Sequence, residues 1–138
     1  MGIDYGSVRI GIALSDELQF LAHPAETVPA TNQVTALERI VALAKEKNVE
    51  RIVIGLPRHM NGSLGESANQ VSRFAESLRA LVDCKIETWD ERLSTVAAQR
   101  SLHAAGKSSR KTRAIIDQVA AQILLQSYLD SLQLNPRA

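Results

Sequence analysis

The chain begins with MGIDYGSVRIGIALS (residues 1–15), which contains the first two predicted elements of the fold. Two apolar runs, at residues 2–5 and 9–15, are separated by a Gly-Ser pair, a spacing that predicts a β-hairpin. Asp4 lies inside the first run. A buried carboxylate without a compensating cation or hydrogen bonds costs several kcal/mol, so Asp4 is a candidate functional residue.

Further along the chain, the spacing of apolar residues alternates between that of helices and that of strands. It predicts a strand at residues 25–28, a helix from Thr31, a buried strand at 51–54, a helix with a capping box at Ser63 and Glu66, a strand at 85–89, and helices at 94–105 and 113–132. A strand meander followed by alternating helices and strands predicts a mixed α/β sheet in the order 3-2-1-4-5, flanked by helices. The first strand is then central, and its carboxyl end borders a crevice.

Length and composition limit the class of protein. With 138 residues and 15.1 kDa, the chain fits one domain over residues 1–138. No apolar run is long enough to cross a bilayer and no signal peptide is evident, so the sequence predicts a cytoplasmic protein without a membrane partner. Cys84 is the single cysteine, which excludes an internal disulfide and a cysteine-based zinc site.

The charges are balanced in total but not along the chain. The formal net charge is +1, yet the window from residue 92 to residue 116 contains basic residues and no acidic one. Its basic residues are Arg92, Arg100, Lys107, Arg110, Lys111 and Arg113. This asymmetry favours a polyanionic partner, and the alternative is a solvated helix and loop. The aromatic residues are too few and too scattered to stack bases, so backbone phosphates are the expected target.

Three acidic residues are predicted to meet at the crevice. Asp90 and Glu91 follow a strand directly, and only one of two neighbouring side chains can face inward. Asp117 lies past the first turn of its helix, too deep for a capping role, on a stripe with apolar residues. Asp4, Glu91 and Asp117 would supply oxygen ligands for Mg²⁺ or Mn²⁺ in phosphodiester chemistry. Taken singly, the three acids could instead be an ion-pair partner, a solvated strand end and a helix surface charge.

Four segments together resemble one known family. They are GIDYGSVRIGIA (2–13), VIGLP (53–57) with MNG (60–62), DERLST (90–95) and IDQVAA (116–121). The combination is similar to that of the YqgF family, the RuvX-type group of Holliday-junction-resolvase-like nucleases for the precursor of 16S ribosomal RNA, and the similarity covers nearly the whole chain. It implies an RNase H-like fold and metal-dependent phosphodiester hydrolysis, with Asp4, Glu91 and Asp117 as catalytic acids and metal ligands.

The same resemblance implies a role in ribosome biogenesis, namely processing of the 5′ end of pre-16S rRNA, with ribosomal particles as further partners. Arg92 is expected to contact the scissile phosphate or to orient Glu91, and the alternative for it is a surface salt bridge. Flanking phosphates would be held by Lys107, Arg110, Lys111 and Arg113, and Arg58 at the rim of the crevice would reach the substrate. The rim of the crevice is assigned to Gly6, Gly55, Pro57, Asn61 and Gly62.

Three other functions fit parts of the sequence. One is a nuclease for structured DNA, because phosphate contacts read neither sequence nor topology. The segment DYGS (4–7) also resembles the first phosphate loop of actin-like ATPases and sugar kinases, although those enzymes enclose their nucleotide between two such domains. The third is an RNA-binding factor without catalysis, which metal-dependent turnover would distinguish from a nuclease.

The first strand is short for a central strand. Three residues precede Asp4, whereas strands usually have about five or six residues in all. We therefore expect residues 2–5 to form an inner strand paired on both sides, and the native reading frame to extend further upstream. An intact-mass measurement on the native protein would test the second expectation.

Overall fold

The computed structural model describes residues 1–57, 64–93 and 110–134. The elements are the strands β1 (Gly2–Tyr5), β2 (Arg9–Ser15), β3 (Ala22–Pro29), β4 (Arg51–Leu56) and β5 (Lys85–Asp90), the helices α1 (Gln33–Glu46), α2 (Glu66–Arg79) and α3 (Arg110–Leu134), and a 3-10 turn at Glu91–Leu93. The five strands form one mixed sheet in the predicted order β3-β2-β1-β4-β5.

β1 is the central strand of this sheet. It pairs antiparallel with β2, which puts Asp4 opposite Gly11, and parallel with β4, which puts Ile3 beside Ile54. The prediction of an inner strand paired on both sides is therefore confirmed. Because β1, β4 and β5 run parallel, their carboxyl ends meet at one edge of the sheet, and this edge receives both Asp4 and the turn after β5.

The two faces of the sheet carry side chains of different size. One face presents isoleucines that form the main core with α1 and α2, namely Ile3, Ile10, Ile12, Ile52 and Ile54. On the other face, β1 and β2 present the small residues Gly2, Gly11 and Ala13, and α3 packs there through Ala121 and Leu125. A Cβ on Gly2 would lie 2.7 Å from the Cβ of Leu125, so glycine at this position permits the close approach of the helix.

β3 extends beyond the predicted residues 25–28 and includes Pro24 and Pro29. An edge strand tolerates proline because one of its sides makes no ladder hydrogen bonds. Its pairing with β2 shifts between Ile12 and Ala13, which is the irregularity expected of a β-bulge. The two prolines, which flank the predicted residues 25–28, therefore lie within β3.

The helices differ from the predicted ones at their first residues. The predicted capping box at Ser63 and Glu66 is wrong. α2 begins at Glu66, and its N-cap residue is Gly65, which has no side chain to cap the helix. Glu66 in the first turn instead suits the helix dipole. α3 begins at Arg110, before the predicted residue 113, and the predicted helix at 94–105 lies outside the described residues. No helix within the described ranges is long and apolar enough to cross a membrane.

Candidate active site

Asp4 lies on the face of the sheet that α3 covers. Side chains alternate along a strand, so Asp4 shares this face with Gly2, and it is 2% exposed. On β2 the same alternation puts Gly11 on this face, opposite Asp4. A Cβ on Gly11 would overlap the backbone carbonyl of Asp117, so strand and helix backbones touch at this point. Asp4, on β1, and Asp117, on α3, therefore both lie next to Gly11.

Asp117 faces the sheet, as predicted, and its partner is an arginine. The residue is buried on α3, on the same stripe as the buried residues Ala121, Leu124 and Tyr128. Arg9 Nε donates a hydrogen bond to Asp117 Oδ2 at 2.6 Å, and the two side chains are 32% and 12% exposed. Charge-assisted hydrogen bonds of this length are among the strong ones in proteins.

Arg9 was not among the predicted site residues. A signal for it exists in the sequence, since Arg9 is the one charged residue in the apolar run 9–15. Strand alternation puts it on the same face as Gly11, two residues along. The sequence does not indicate which residue Arg9 binds, because Asp117 is 108 residues away in the chain.

Glu91 is the acid after β5 that faces inward. It is the first residue of the 3-10 turn, and its Oε1 lies 2.9 Å from the place a Cβ on Gly55 would take. Burial raises the pKa of the Glu91 carboxyl above its usual range, and the negative charge of Asp90 adds to this effect. β1 and β4 pair Ile3 with Ile54, so the next residue of each strand puts Asp4 beside Gly55. Glu91 therefore lies over Gly55, the residue of β4 that is next to Asp4.

Asp90 has a different role from Glu91. Its carboxylate accepts hydrogen bonds from the backbone N–H of Arg92 and from the guanidinium, the shortest at 2.7 Å. The structure thus shows Arg92 in the surface ion pair that the sequence had offered as an alternative. A phosphate contact by Arg92 stays a prediction.

The other predicted residues fall into two groups. Gly6 lies in the turn between β1 and β2, where a Cβ would be 2.6 Å from the carbonyl oxygen of Arg9, and Pro57 directly follows β4. Arg113 is exposed on the first turns of α3, and α3 begins at Arg110 and Lys111. The predicted residues Arg58, Lys107, Asn61 and Gly62 lie outside the described residues.

The three carboxylates suit a divalent ion by their chemistry and burial. Carboxylate oxygens are the ligands that Mg²⁺ and Mn²⁺ prefer, and the charged forms of Asp4 and Glu91 would gain from a cation because they are taken out of water. Within residues 1–57, 64–93 and 110–134, however, no group of three or more histidine, cysteine, aspartate or glutamate residues is placed to hold a metal ion. The donors therefore share one face of the sheet without forming a closed set, and Asp117 is held by Arg9.

Comparison with known proteins gives a consistent assignment. A model of the RuvX family, described as Holliday junction resolvase, matches residues 1–131. The chain is 46% identical over 137 residues to a protein of Halalkalibacterium halodurans, covering 98% of both chains. It is 41% identical over 133 residues to one of Bacillus cytotoxicus, covering 95% of this chain and 97% of the relative. Both relatives carry the name "Putative pre-16S rRNA nuclease".

Solved structures share the fold at low sequence identity. RuvC of T. thermophilus, solved in complex with a Holliday junction substrate, superposes with a TM-score of 0.58 and 16% identity, covering 96% of this chain and 93% of that one. A resolvase of Fowlpox virus, in complex with Holliday junction DNA, gives a TM-score of 0.52 and 10% identity over 95% and 96% of the two chains. With the predicted strand order confirmed, the chain belongs to the RuvX family and is a nuclease with the RNase H-like fold.

Proposed function

We propose that this nuclease hydrolyses phosphodiester bonds in the precursor of 16S rRNA, near its 5′ end, with Mg²⁺ or Mn²⁺ held by Asp4, Glu91 and Asp117. The observation that carries the proposal is the convergence of these acids on the α3 face of the sheet, at Gly11 and Gly55. The names of the relatives indicate the RNA substrate. The phosphate-loop alternative has no support from the family, whose members are nucleases.

The three acids would divide the work according to the elements that carry them. A bound divalent ion activates water and stabilises the charge on the departing oxygen. Asp4 is rigid, because it lies on a strand paired on both sides and is almost fully buried. Glu91 is on a turn after β5 and Asp117 is on α3 above Gly11, so the elements that carry the two acids reach the site from the strand ends and from above the sheet.

The substrate strand would be held by cations outside the acidic centre. We assign this role to Arg58, Lys107, Arg110, Lys111 and Arg113, with Arg92 beside Glu91. Arg113 is exposed, and α3 carries Asp117 a short distance further along, so phosphates bound at its first turns lie next to the acids. Gly6, Pro57, Asn61 and Gly62 belong to the rim in this proposal. The contacts read phosphate and not base sequence.

Neutralising Lys107, Arg110, Lys111 and Arg113 together to glutamine is expected to weaken RNA binding and to flatten its salt dependence. On a single strand, the slope of log K against log salt should fall by roughly 0.7 for each phosphate that the variant no longer binds. The measurement is a set of fluorescence-anisotropy titrations between low and physiological salt. A matched control neutralises the exposed Lys45, Lys47, Arg73 and Arg79, which lie on or directly after α1 and α2, on the opposite face of the sheet. Equal slopes for the two variants would show that the window is an ordinary solvated surface.

Gly55→Ala is expected to lower the rate of cleavage by about tenfold to a hundredfold at little cost in stability. The new Cβ would lie 2.9 Å from Glu91 Oε1 and 3.2 Å from the methyl groups of Leu124. Both are ends of flexible side chains, so they can move without shifting the backbone, but Glu91 then leaves its place beside Asp4. Single-turnover rates and thermal denaturation measure the two effects separately. Unchanged turnover would mean that Glu91 has room to spare and that its position is not critical.

A second candidate substrate is a four-way DNA junction. The observation that favours it is the fold match to RuvC in complex with such a junction, which covers 96% of this chain. We retain RNA as the first candidate because the relatives at 41% and 46% identity are named for it. We further propose that residues 1–138 form a single domain. The protein would act in the cytoplasm, on rRNA within ribosomal particles.

The deciding experiment compares the two substrates under the same conditions. Purified protein is incubated with a pre-16S rRNA transcript or with a synthetic four-way DNA junction, in Mg²⁺, in Mn²⁺ or in EDTA, with Asp4→Asn as the control for contaminating nucleases. We expect cleavage of the transcript near its 5′ end in either metal and none in EDTA. Preferential cleavage of the junction would replace the first proposal by the second. Binding to RNA without metal-dependent turnover would instead support the RNA-binding factor.

A further inference from the structure

We propose that Arg9 is an internal counter-cation for Asp117, and that a divalent ion must displace it before Asp117 can serve as a metal ligand. The inference rests on the proposed function, since it takes Asp117 as one of the metal-binding acids. It assigns to Arg9 a positioning role: the arginine keeps the acidic centre open in the metal-free protein and sets how tightly the metal binds.

The ion pair is built into the packing of two elements. Arg9 begins β2 and Asp117 lies on α3, and their backbones are fixed by contacts on either side of the pair. On one side, Gly6 packs against the Arg9 carbonyl, where a Cβ would be 2.6 Å away. On the other, Gly11 is in contact with the backbone of Asp117. The 2.6 Å hydrogen bond between Nε and Oδ2 therefore joins two groups that the fold itself holds together.

A metal ion and the guanidinium compete for the same oxygen. A divalent ion bound at Asp117 Oδ2 would be next to the guanidinium, and the two positive charges repel each other at this short distance. Metal binding and the Arg9 contact are therefore coupled negatively, and the coupling must appear in both directions.

This competition explains why the described acids share one face without forming a closed metal site. The carboxylate of Asp117 is turned to a partner on β2, the strand that flanks Asp4 on the side away from Glu91 and β5. Because Asp117 contacts Gly11 and Gly11 is opposite Asp4, we expect a different side-chain rotamer of Asp117 to be enough to turn its carboxylate from Arg9 towards Asp4. Removal of Arg9 should therefore improve metal binding, whereas removal of one partner of a buried ion pair ordinarily only destabilises a protein.

The test measures Mn²⁺ binding to the purified protein by calorimetry, together with the melting temperature without metal. Arg9→Gln is expected to bind Mn²⁺ about tenfold more tightly, since a hydrogen bond to a charged group worth about 1.5 kcal/mol no longer competes. The same variant should melt several degrees lower without metal, because Asp117 loses its counter-charge in a buried place. A merely structural role for Arg9 would lower the melting temperature and would not tighten metal binding.

Two controls make the result specific. Arg39→Gln removes another arginine that binds a carboxylate, in the exposed pair with Glu26 at 2.6 Å, and should change neither Mn²⁺ affinity nor cleavage. In an Asp117→Asn background, Arg9→Gln should cause no further loss of melting temperature, because its effect acts through Asp117. If Arg9→Gln does not fold, Arg9→Lys is used, which keeps the charge but loses the planar donor and should give an intermediate affinity.

The possible failures are distinguishable. Wild-type protein that neither binds Mn²⁺ nor cleaves nucleic acid overturns the proposed function, and this inference with it. Wild-type protein that cleaves with Mn²⁺, while Arg9→Gln binds the ion no more tightly than Arg39→Gln does, overturns this inference alone. Additive melting-temperature losses for Arg9→Gln and Asp117→Asn would also contradict it, because the two side chains would then act independently.

Discussion

Asp4→Asn is expected to reduce metal-dependent cleavage by about a thousandfold or more, which corresponds to a loss of about 4 kcal/mol of transition-state stabilisation. Asp4 is the most rigidly placed of the three acids, on a central strand and 2% exposed. The amide keeps the size of the side chain and removes the charge that a divalent ion requires. Single-turnover cleavage of the RNA transcript measures the loss, and the exposed Asp83→Asn is the matched control, which should cleave at the wild-type rate.

The same variant should be at least as stable as the wild type in the absence of metal, because it removes one of several buried like charges. With a divalent metal present, the wild type should be the more stable of the two proteins. At a concentration 100 times its Kd, a ligand that binds the folded state alone stabilises it by about 2.7 kcal/mol, and Asp4→Asn should lose this gain. Thermal denaturation without and with Mg²⁺ measures the stability of the metal-free protein and the stabilisation by the metal. Wild-type protein whose melting temperature does not respond to metal would contradict the metal site.

Gly11→Ala is expected to lower the free energy of unfolding by about 3 kcal/mol, and the melting temperature by about 10 °C. The added Cβ would overlap the backbone carbonyl of Asp117, so α3 must move away from the sheet. Urea and thermal denaturation measure the loss. Gly55→Ala is the matched comparison, because its Cβ meets only the ends of the flexible side chains of Glu91 and Leu124.

Activity should be lost together with stability in Gly11→Ala, since the displaced helix carries Asp117 away from Asp4. Gly55→Ala should separate the two properties, losing activity and keeping stability. If both variants lost the same amount of stability, the distinction between backbone contact and side-chain contact would be wrong. A Gly11→Ala protein as stable as the wild type would mean that α3 can adjust at no cost.

The strand order and the inward direction of Asp117 could be predicted because both follow from local patterns. Apolar alternation marks strands, short connections limit the topology, and a helical stripe that joins Asp117 to Ala121 and Leu124 fixes which face is buried. The extent of β3 could not be predicted this way. Its prolines are acceptable only because β3 is an edge strand, and edge position is a property of the assembled sheet.

The inward direction of the proposed acids could be predicted, and their immediate partners could not. Asp4 is recognisable as a carboxylate in an apolar strand, but nothing local links Asp117 to Arg9, which is 108 residues away in the chain. Asp90 and Glu91 illustrate the same limit. Strand alternation predicts that one of them faces inward, and only the assembled sheet shows which, because Glu91 lies over Gly55 of the neighbouring strand β4 while Asp90 binds Arg92. Packing of distant elements decides such pairings.

The packing of α3 on the first hairpin also bears on when the proposed site is complete during synthesis of the protein. Contacts of Gly2 with Leu125 and of Arg9 with Asp117 join segments that leave the ribosome far apart in time. Non-local pairing of this kind forms late in folding, because the chain must first close a long loop. The hairpin carrying Asp4 is therefore made first, and its acidic face stays uncovered until α3 has emerged. The proposed site takes Asp117 from α3, so we expect a nascent chain that has not yet produced α3 to be inactive on the RNA around it.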